Sequence, residues 1–294
     1  MTLRTGAPGK LLLSGAYAVL EGAPAIVCAV DRYAYAFDGV GDVPAEVRAL
    51  ERPCAVDVRE LEHNGMKLGL GSSAAALVAA VALRAAERGE DPTSHSVRRA
   101  IFEQAREVHA RVQHGGSGVD VAASTFGGVL RYCRDGLAEP VELPPEISIV
   151  AFFSGKSART SDLRARVEAL RDRDPSLYAM RMAPLAEIAR EASRAAIGKD
   201  VAGLVAAIGQ SLVALAALGS AADAPIVLPA FAELAATAAL EQAAFIPSGA
   251  GGGDIGVFVG TATPTSSFTQ HAERVGMVRV PLGIDSRGVH LAPS

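Results

Sequence analysis

Cysteine is scarce in this chain: Cys28, Cys54 and Cys133 are odd in number, scattered, and without CxxC spacing. That argues against a disulfide framework or a cysteine zinc site, and it fits a reducing cytoplasm. An excess of positive charge is also missing. The 28 Lys and Arg residues face 32 Asp and Glu, a net charge of −4, so nothing points to a nucleic-acid partner. Tryptophan is absent. The first residues, Met-Thr-Leu-Arg-Thr-Gly-Ala-Pro-Gly-Lys, contain no apolar h-region, so no secretory leader is expected. One stretch, residues 201–222, is uncharged over a length that could cross a bilayer. It is mostly Ala and Gly, with Gln210 and Ser211 at its centre. Leu204, Ile208, Leu212, Leu215 and Leu218 recur at the spacing of a core helix, so we read a buried helix and no membrane span.

Apolar residues make up 50% of the 294, enough to bury a full core in one large domain or two ordinary ones. Glycine is plentiful, at 30 residues, and its clusters carry most of the functional signal. The most informative stretch is Lys67-Leu68-Gly69-Leu70-Gly71-Ser72-Ser73-Ala74, which leads into an unbroken Ala-, Leu- and Val-rich run over 74–86. It reads as a loop opening onto the N-terminus of a buried helix. The first helical turn leaves backbone N–H groups unpaired and carries partial positive charge, so it attracts anions. Gly69 and Gly71 allow the backbone to close around a phosphate without Cβ clashes. Of Ser72 and Ser73, one hydroxyl could reach a phosphate-bound Mg²⁺ while the other caps the helix. An ordinary capped helix after a glycine turn explains the same letters. The stretch is no P-loop, since no Lys follows the last Gly, and no dinucleotide fingerprint, since the third Gly is missing.

Along the chain, Gly and Pro separate short apolar runs at 11–13, 17–20 and 25–30, suggesting a hairpin-rich sheet that 33–40 continues. Lys10 stands just before the first run, either as a snorkelling edge residue or as a functional cation. Residues 45–62 are polar and ambiguous. After the 74–86 helix, Thr93 or Ser94 is expected to cap a second one striped by Val97, Ile101, Ala105, Val108 and Val112. A second glycine cluster, His114-Gly115-Gly116-Ser117-Gly118-Val119-Asp120, runs into a short apolar helix whose cap could be Asp120. Residues 139–145 form the best candidate linker. An apolar strand over 147–153 then ends in Ser154-Gly155-Lys156-Ser157-Ala158-Arg159-Thr160-Ser161, a second plausible anion site. Helices are expected over 162–173 and 177–244, with Pro184 kinking or starting one. A third glycine cluster, Ser248-Gly249-Ala250-Gly251-Gly252-Gly253-Asp254, precedes a strand and no helix, which argues against a Rossmann turn.

Three glycine-rich segments in this order resemble the motifs of the GHMP kinases, the superfamily of galactokinase, homoserine kinase, mevalonate kinase and phosphomevalonate kinase. Ala7-Pro8-Gly9-Lys10 with Ser14-Gly15-Ala16-Tyr17 is similar to the first motif. Gly69-Leu70-Gly71-Ser72-Ser73-Ala74 is similar to the second and Ser248-Gly249-Ala250-Gly251-Gly252-Gly253-Asp254 to the third. Within the superfamily, Lys67, the Gly116-Ser117-Gly118-Val119-Asp120 segment and the Gly155-Lys156-Ser157-Ala158-Arg159 loop most resemble phosphomevalonate kinases. Two positions depart from relatives: Ala16-Tyr17 stands where Glu or His-Glu is common. His109 stands where mevalonate kinases place a Mg²⁺-binding Glu.

The resemblance implies an α+β, two-domain GHMP-kinase fold. Residues 1–145 would form a ribosomal-protein-S5-like α/β nucleotide-binding domain and 146–294 a ferredoxin-like domain, with the active site in the cleft between them. It implies ATP and Mg²⁺ as cofactors, a small anionic substrate, a cytoplasmic setting, and it leaves a homodimer open. By resemblance, Lys67, Gly69, Leu70, Gly71, Ser72, Ser73 and Ala74 bind ATP, with Ser73 as a metal ligand. Lys10 would stabilise charge on the moving phosphoryl group and pair with Asp120. A lysine and a helix N-terminus both stabilise a carboxylate, which weakens it as a base, so Asp120 is read first as an orienting group. Lys156, Ser157, Arg159 and Thr160, with Ser117, Gly118, Gly251, Gly252 and Asp254, would hold the acceptor. Mevalonate kinase, a diphosphate decarboxylase on the same scaffold and a non-catalytic ligand sensor are the alternatives.

Overall fold

The computed structural model describes residues 3–113, 115–136 and 138–293, so His114 of the second glycine cluster lies outside them. In chain order the first elements are β1 (Arg4–Ser14), β2 (Ala25–Phe37), α1 (Ala45–Arg48), β3 (Ala55–Asp57), β4 (Glu62–His63) and β5 (Met66–Lys67). They are followed by α2 (Ser72–Glu87), α3 (His95–Val112), α4 (Val119–Phe126), β6 (Val129–Tyr132) and β7 (Ala138–Pro140). Next come β8 (Ser148–Phe153), α5 (Thr160–Arg173), α6 (Pro175–Ile197), α7 (Val201–Ala221) and α8 (Pro229–Leu240). The chain closes with β9 (Ala244–Pro247), β10 (Ile255–Gly260), α9 (Ser266–Arg274), β11 (Val278–Val280) and β12 (His290–Leu291). This is the α+β composition that the glycine motifs implied.

Two compact units result, and neither is a continuous piece of chain. The first comprises Met1–Leu11, Val27–Pro140 and Gly283–Ser294, and the second Leu12–Ile26 and Val141–Leu282. A single cut after residue 145 therefore misses two exchanges. The reason is strand pairing: β12 pairs antiparallel with β1 through Thr5–Leu291 and Gly6–His290, drawing the last residues into the first unit.

In the first unit the strands run in the order β12-β1-β2-β6-β7, with β3 on β2. α2 packs against α3 and α4, and Thr5 Oγ1 donates to Ala79 O at 2.8 Å, fixing that helix to β1. Residues 74–83 of α2 are all buried, which is why their sequence is almost wholly Ala, Leu and Val. In the second unit an antiparallel sheet, β11-β8-β10-β9, packs its phenylalanines together. Phe152, Phe245, Phe258 and Phe268 lie at ring separations of 4.9 to 6.0 Å. α7 is long and apolar enough to cross a membrane by length and composition. Its Leu204, Ile208, Leu215 and Leu218 are nevertheless buried inside this unit, the behaviour of a core helix.

Several local expectations change. β1 is one strand through Gly6, Pro8 and Gly9, because pairing on both sides overrides their breaking tendency. The expected strand near 17–20 is a 3₁₀ turn, Ala18–Glu21, entered through Tyr17 at a φ of 60°. The start of the expected linker is β7, registered on β6 with Arg131 opposite Glu139. Pro184 lies inside α6.

Thiol chemistry follows from these layers. Cys28 is fully buried on β2 and its Sγ faces Leu11 O at 3.6 Å; burial pushes its thiol up to about 12. Burial pushes Cys54 up to about 11, whereas Cys133 is only half-buried. Iodoacetamide at mildly alkaline pH is therefore expected to alkylate Cys133 first, and the other two only in denaturant, as read by peptide mass mapping.

Candidate active site

The 67–74 stretch folds by alternating buried leucines with left-handed glycines. Leu68 and Leu70 are buried, while Gly69 and Gly71 take φ values of 80° and 76°. The leucines anchor the loop and the glycines turn it. Lys10 holds it from β1: its backbone N–H donates to Leu70 O at 2.8 Å and its Nζ to Gly69 O at 3.2 Å. Gly71 is the N-cap of α2, and no side chain caps the helix, so neither Ser72 nor Ser73 takes the capping role foreseen for one of them. The N–H groups at the head of α2 have no intrahelical acceptor, and together with the helix dipole they favour an anion there. Ala74 is buried and acts through its backbone and packing. Lys67 sits outside the loop, exposed on the β4–β5 hairpin opposite Glu62.

Lys10 is 5% exposed, and a buried ammonium needs more than one carbonyl to offset its lost hydration. The foreseen ion pair with Asp120 is not formed, since no nitrogen-to-oxygen approach within 4 Å joins them among the described residues. Both nonetheless approach one point. A Cβ on Gly71 would stand 3.2 Å from Lys10 Cγ and 3.5 Å from Asp120 Oδ2. Gly71 thus leaves a space between a cation, a carboxylate and a helix N-terminus. Asp120 is the second residue of α4, and its N-cap is Gly118, so Asp120 is not the cap. Ser117 O accepts the Tyr132 hydroxyl at 2.6 Å and Ser117 Oγ accepts Val119 N–H at 3.3 Å. A Cβ at Gly118 would meet Tyr132 Oη at 2.8 Å, so both residues serve to shape the turn that presents Asp120.

Among the described residues no three His, Cys, Asp or Glu side chains converge as a metal cage. Mg²⁺ does not need one, because it commonly takes one or two protein oxygens and completes its shell with phosphate and water. The Ser73 hydroxyl at the head of α2 and the Asp120 carboxylate beside Gly71 are oxygen donors of that kind. His109 is 9% exposed on α3 with Nε2 buried and unpartnered, and its imidazole is no hard oxygen donor. Two residues near Ser73 were not foreseen. Gln113 and Glu46 come from the end of α3 and from α1, and nothing in the local sequence links them to position 73.

The second unit holds its own loop. Lys156, Ser157, Arg159 and Thr160 are exposed, and neither cation has an ion-pair partner within 4 Å among the described residues. The loop is held from behind. Asp254 N–H donates to Lys156 O at 2.7 Å, Ser154 N–H to Asp254 O at 3.0 Å, and Ala158 N–H to Asp254 Oδ1 at 3.1 Å. Asp254 therefore spends an oxygen on the loop itself. A Cβ at Gly251 would lie 2.1 Å from Ile226 O, and one at Gly253 2.7 Å from Lys156 O, so close backbone packing requires these glycines. Gly252 N–H donates to Ile226 O at 2.9 Å. The first motif reaches this cluster too: Leu12 N–H donates to Ser248 Oγ at 2.8 Å and Tyr17 Oη to Ala250 O at 2.7 Å. Burial pushes the Tyr17 phenol well above its ordinary range, keeping it protonated as that donor.

Comparison with known proteins identifies the family. Residues 36–128 match the GHMP kinases N terminal domain. Mevalonate kinase of Archaeoglobus fulgidus is 30% identical over 297 residues, covering 92% of this chain and 97% of that enzyme. Phosphomevalonate kinase of Streptomyces sp. (strain CL190) is 26% identical over 365 residues, 96% of each chain. Streptococcus pneumoniae phosphomevalonate kinase in complex with phosphomevalonate and AMPPNP superposes with a TM-score of 0.78 at 18% identity, covering 97% of this chain and 99% of that one. The last shows a shared fold; the first carries kinship. The chain belongs to the GHMP kinases.

Gly71→Ala is expected to destabilise the first unit by roughly 1–2 kcal/mol, the penalty of a left-handed non-glycine residue. It should also weaken nucleotide binding, because the new methyl enters the space between Lys10 and Asp120. Urea unfolding and nucleotide titration measure the two effects.

Proposed function

We propose that the chain transfers the γ-phosphoryl group of ATP to phosphomevalonate, giving diphosphomevalonate and ADP, as a kinase of the mevalonate pathway. The observation that carries the acceptor choice is the 155–160 loop, where Lys156 and Arg159 project unpaired from a backbone braced by Asp254. Unpaired cations on a held loop suit an acceptor with a phosphate and a carboxylate, since charge-assisted bonds are the strong ones. A mevalonate acceptor has only the carboxylate.

In this reading the 69–74 loop and the head of α2 bind the β- and γ-phosphates. A phosphate oxygen of the acceptor attacks the γ-phosphorus in line as the bond to ADP breaks. Such a transfer depends on positioning and charge neutralisation more than on covalent help. Lys10 Nζ, directed by Gly69 O, neutralises charge on the moving group. Asp120, whose Oδ2 borders Gly71, orients the acceptor. A phosphomonoester with a second pKa of about 6 is already largely ionised at neutral pH, so no strong base is needed. Mg²⁺ would supply further charge neutralisation at the phosphates, with Ser73 as its protein ligand.

Mevalonate kinase is the second reading, favoured by the 30% identity to the Archaeoglobus enzyme. A coupled assay of ADP release with mevalonate, phosphomevalonate, homoserine and galactose separates the two. Turnover with phosphomevalonate well above the rest is expected; preference for mevalonate overturns the assignment. Lys156→Ala and Arg159→Ala should each raise the acceptor KM by roughly 10-fold, about the value of one charge-assisted bond, with kcat nearly unchanged. Asp120→Asn should lower kcat by about 100-fold, the scale of a misplaced reactant, and turnover within a few-fold of the parent removes Asp120 from the mechanism.

A further inference from the structure

Glu46 is a buried carboxylate without a cation. It lies in α1 at 8% exposure, and among the described residues no Lys or Arg approaches it within ion-pair distance. Its hydrogen-bond partner is a neutral amide, Gln113 Nε2, which donates to Oε1 at 2.9 Å. Burying a carboxylate against a single neutral donor is expensive, and a glutamine or leucine would serve packing as well. The same Nε2 reaches Ser73 Oγ at 3.4 Å. One amide nitrogen therefore joins a buried carboxyl in α1 to the hydroxyl at the head of α2, from the C-cap of α3.

The chemistry fixes the direction of this chain. Gln113 presents its nitrogen, and not its oxygen, to Glu46 Oε1. That leaves the second N–H of the same nitrogen for Ser73. A serine hydroxyl has one hydrogen and two lone pairs. With one lone pair taken by Gln113, its O–H and its other lone pair are free for a phosphate oxygen and a metal. Without Gln113 the hydroxyl can rotate and bond back to a helix carbonyl, as serine commonly does. We propose that Gln113, oriented by Glu46, is a positioning residue that holds the Ser73 hydroxyl in the state that receives the metal–nucleotide complex. The inference rests on Ser73 touching the nucleotide's metal.

The test uses the full chain and measures ATP affinity without acceptor, by titration calorimetry, once with Mg²⁺ and once with EDTA. Gln113→Leu and Glu46→Leu are each expected to weaken Mg-ATP binding by about 10-fold, the scale of one lost bond, and to change metal-free binding by less than about 2-fold. Glu46→Gln, which keeps an acceptor for the amide, should restore most of the affinity. Gln113→Leu added to Ser73→Ala should weaken binding no further than Ser73→Ala alone, since both remove one interaction. Thermal melts check folding, and Gln113→Asn, polar but one methylene short, replaces Gln113→Leu should that variant not fold. If Ser73→Ala weakens Mg-ATP binding while the Gln113 variants do not, or if they weaken it equally in EDTA, the positioning role is overturned. If Ser73→Ala itself changes nothing, the Ser73 assignment falls and the positioning role falls with it.

Discussion

The bond between Lys10 N–H and Leu70 O, with the Lys10 ammonium turned onto Gly69 O, is the contact on which the first unit's chemistry depends. A backbone bond of this kind adds only about 1 kcal/mol net, yet leaving either group buried and unmade costs about 1–3 kcal/mol. The loop therefore has one comfortable position, set by a strand. A buried ammonium whose partner is one carbonyl is still short of compensation, which the phosphates of the proposed nucleotide would supply. Within the second unit, Leu12 N–H donates to Ser248 Oγ and Tyr17 Oη to Ala250 O. The segment that resembles the first glycine motif thus contacts two glycine loops: Lys10 holds the 67–74 loop, and Leu12 and Tyr17 hold the 248–254 cluster.

In both units glycines make room and charged groups come from elsewhere. Gly71 leaves space that Lys10 and Asp120 border, and Gly253 lets Asp254 close on Lys156. A side chain at either place would separate the groups that the loop brings together. Backbone conformation is the first determinant of the candidate site, and the polar side chains follow from it. Asp254 illustrates this: foreseen as a contact to the acceptor, it accepts from Ala158 N–H and so fixes the loop that carries Lys156 and Arg159.

What was legible in the sequence was local. The Ala-, Leu- and Val-rich run after Gly71 could only be a buried helix, and the 147–153 run only a buried strand, because composition and period state the environment directly. The glycine clusters announced the loops. Legibility stopped where distant residues decide. Gly6, Pro8 and Gly9 read as strand breakers, but pairing of β1 with β12 and β2 keeps them in one strand. Tyr17 reads as the start of a strand and instead turns into a 3₁₀ segment, its hydroxyl tied to Ala250. Glu46 and Gln113 are separated from Ser73 by tens of residues and share no periodicity with it, so no window of sequence joins them.

The exchange of segments between the units also bears on how the chain is made. Gly283–Ser294 belongs to the first unit, and its His290–Leu291 strand lies along the far edge of β1. Synthesis runs from the N-terminus, so the ribosome finishes the second unit's sequence before it releases the strand that completes the first. Until then β1 has an open edge, and the sheet that carries Lys10 lacks its border. Closing so long a loop makes this contact slow to form.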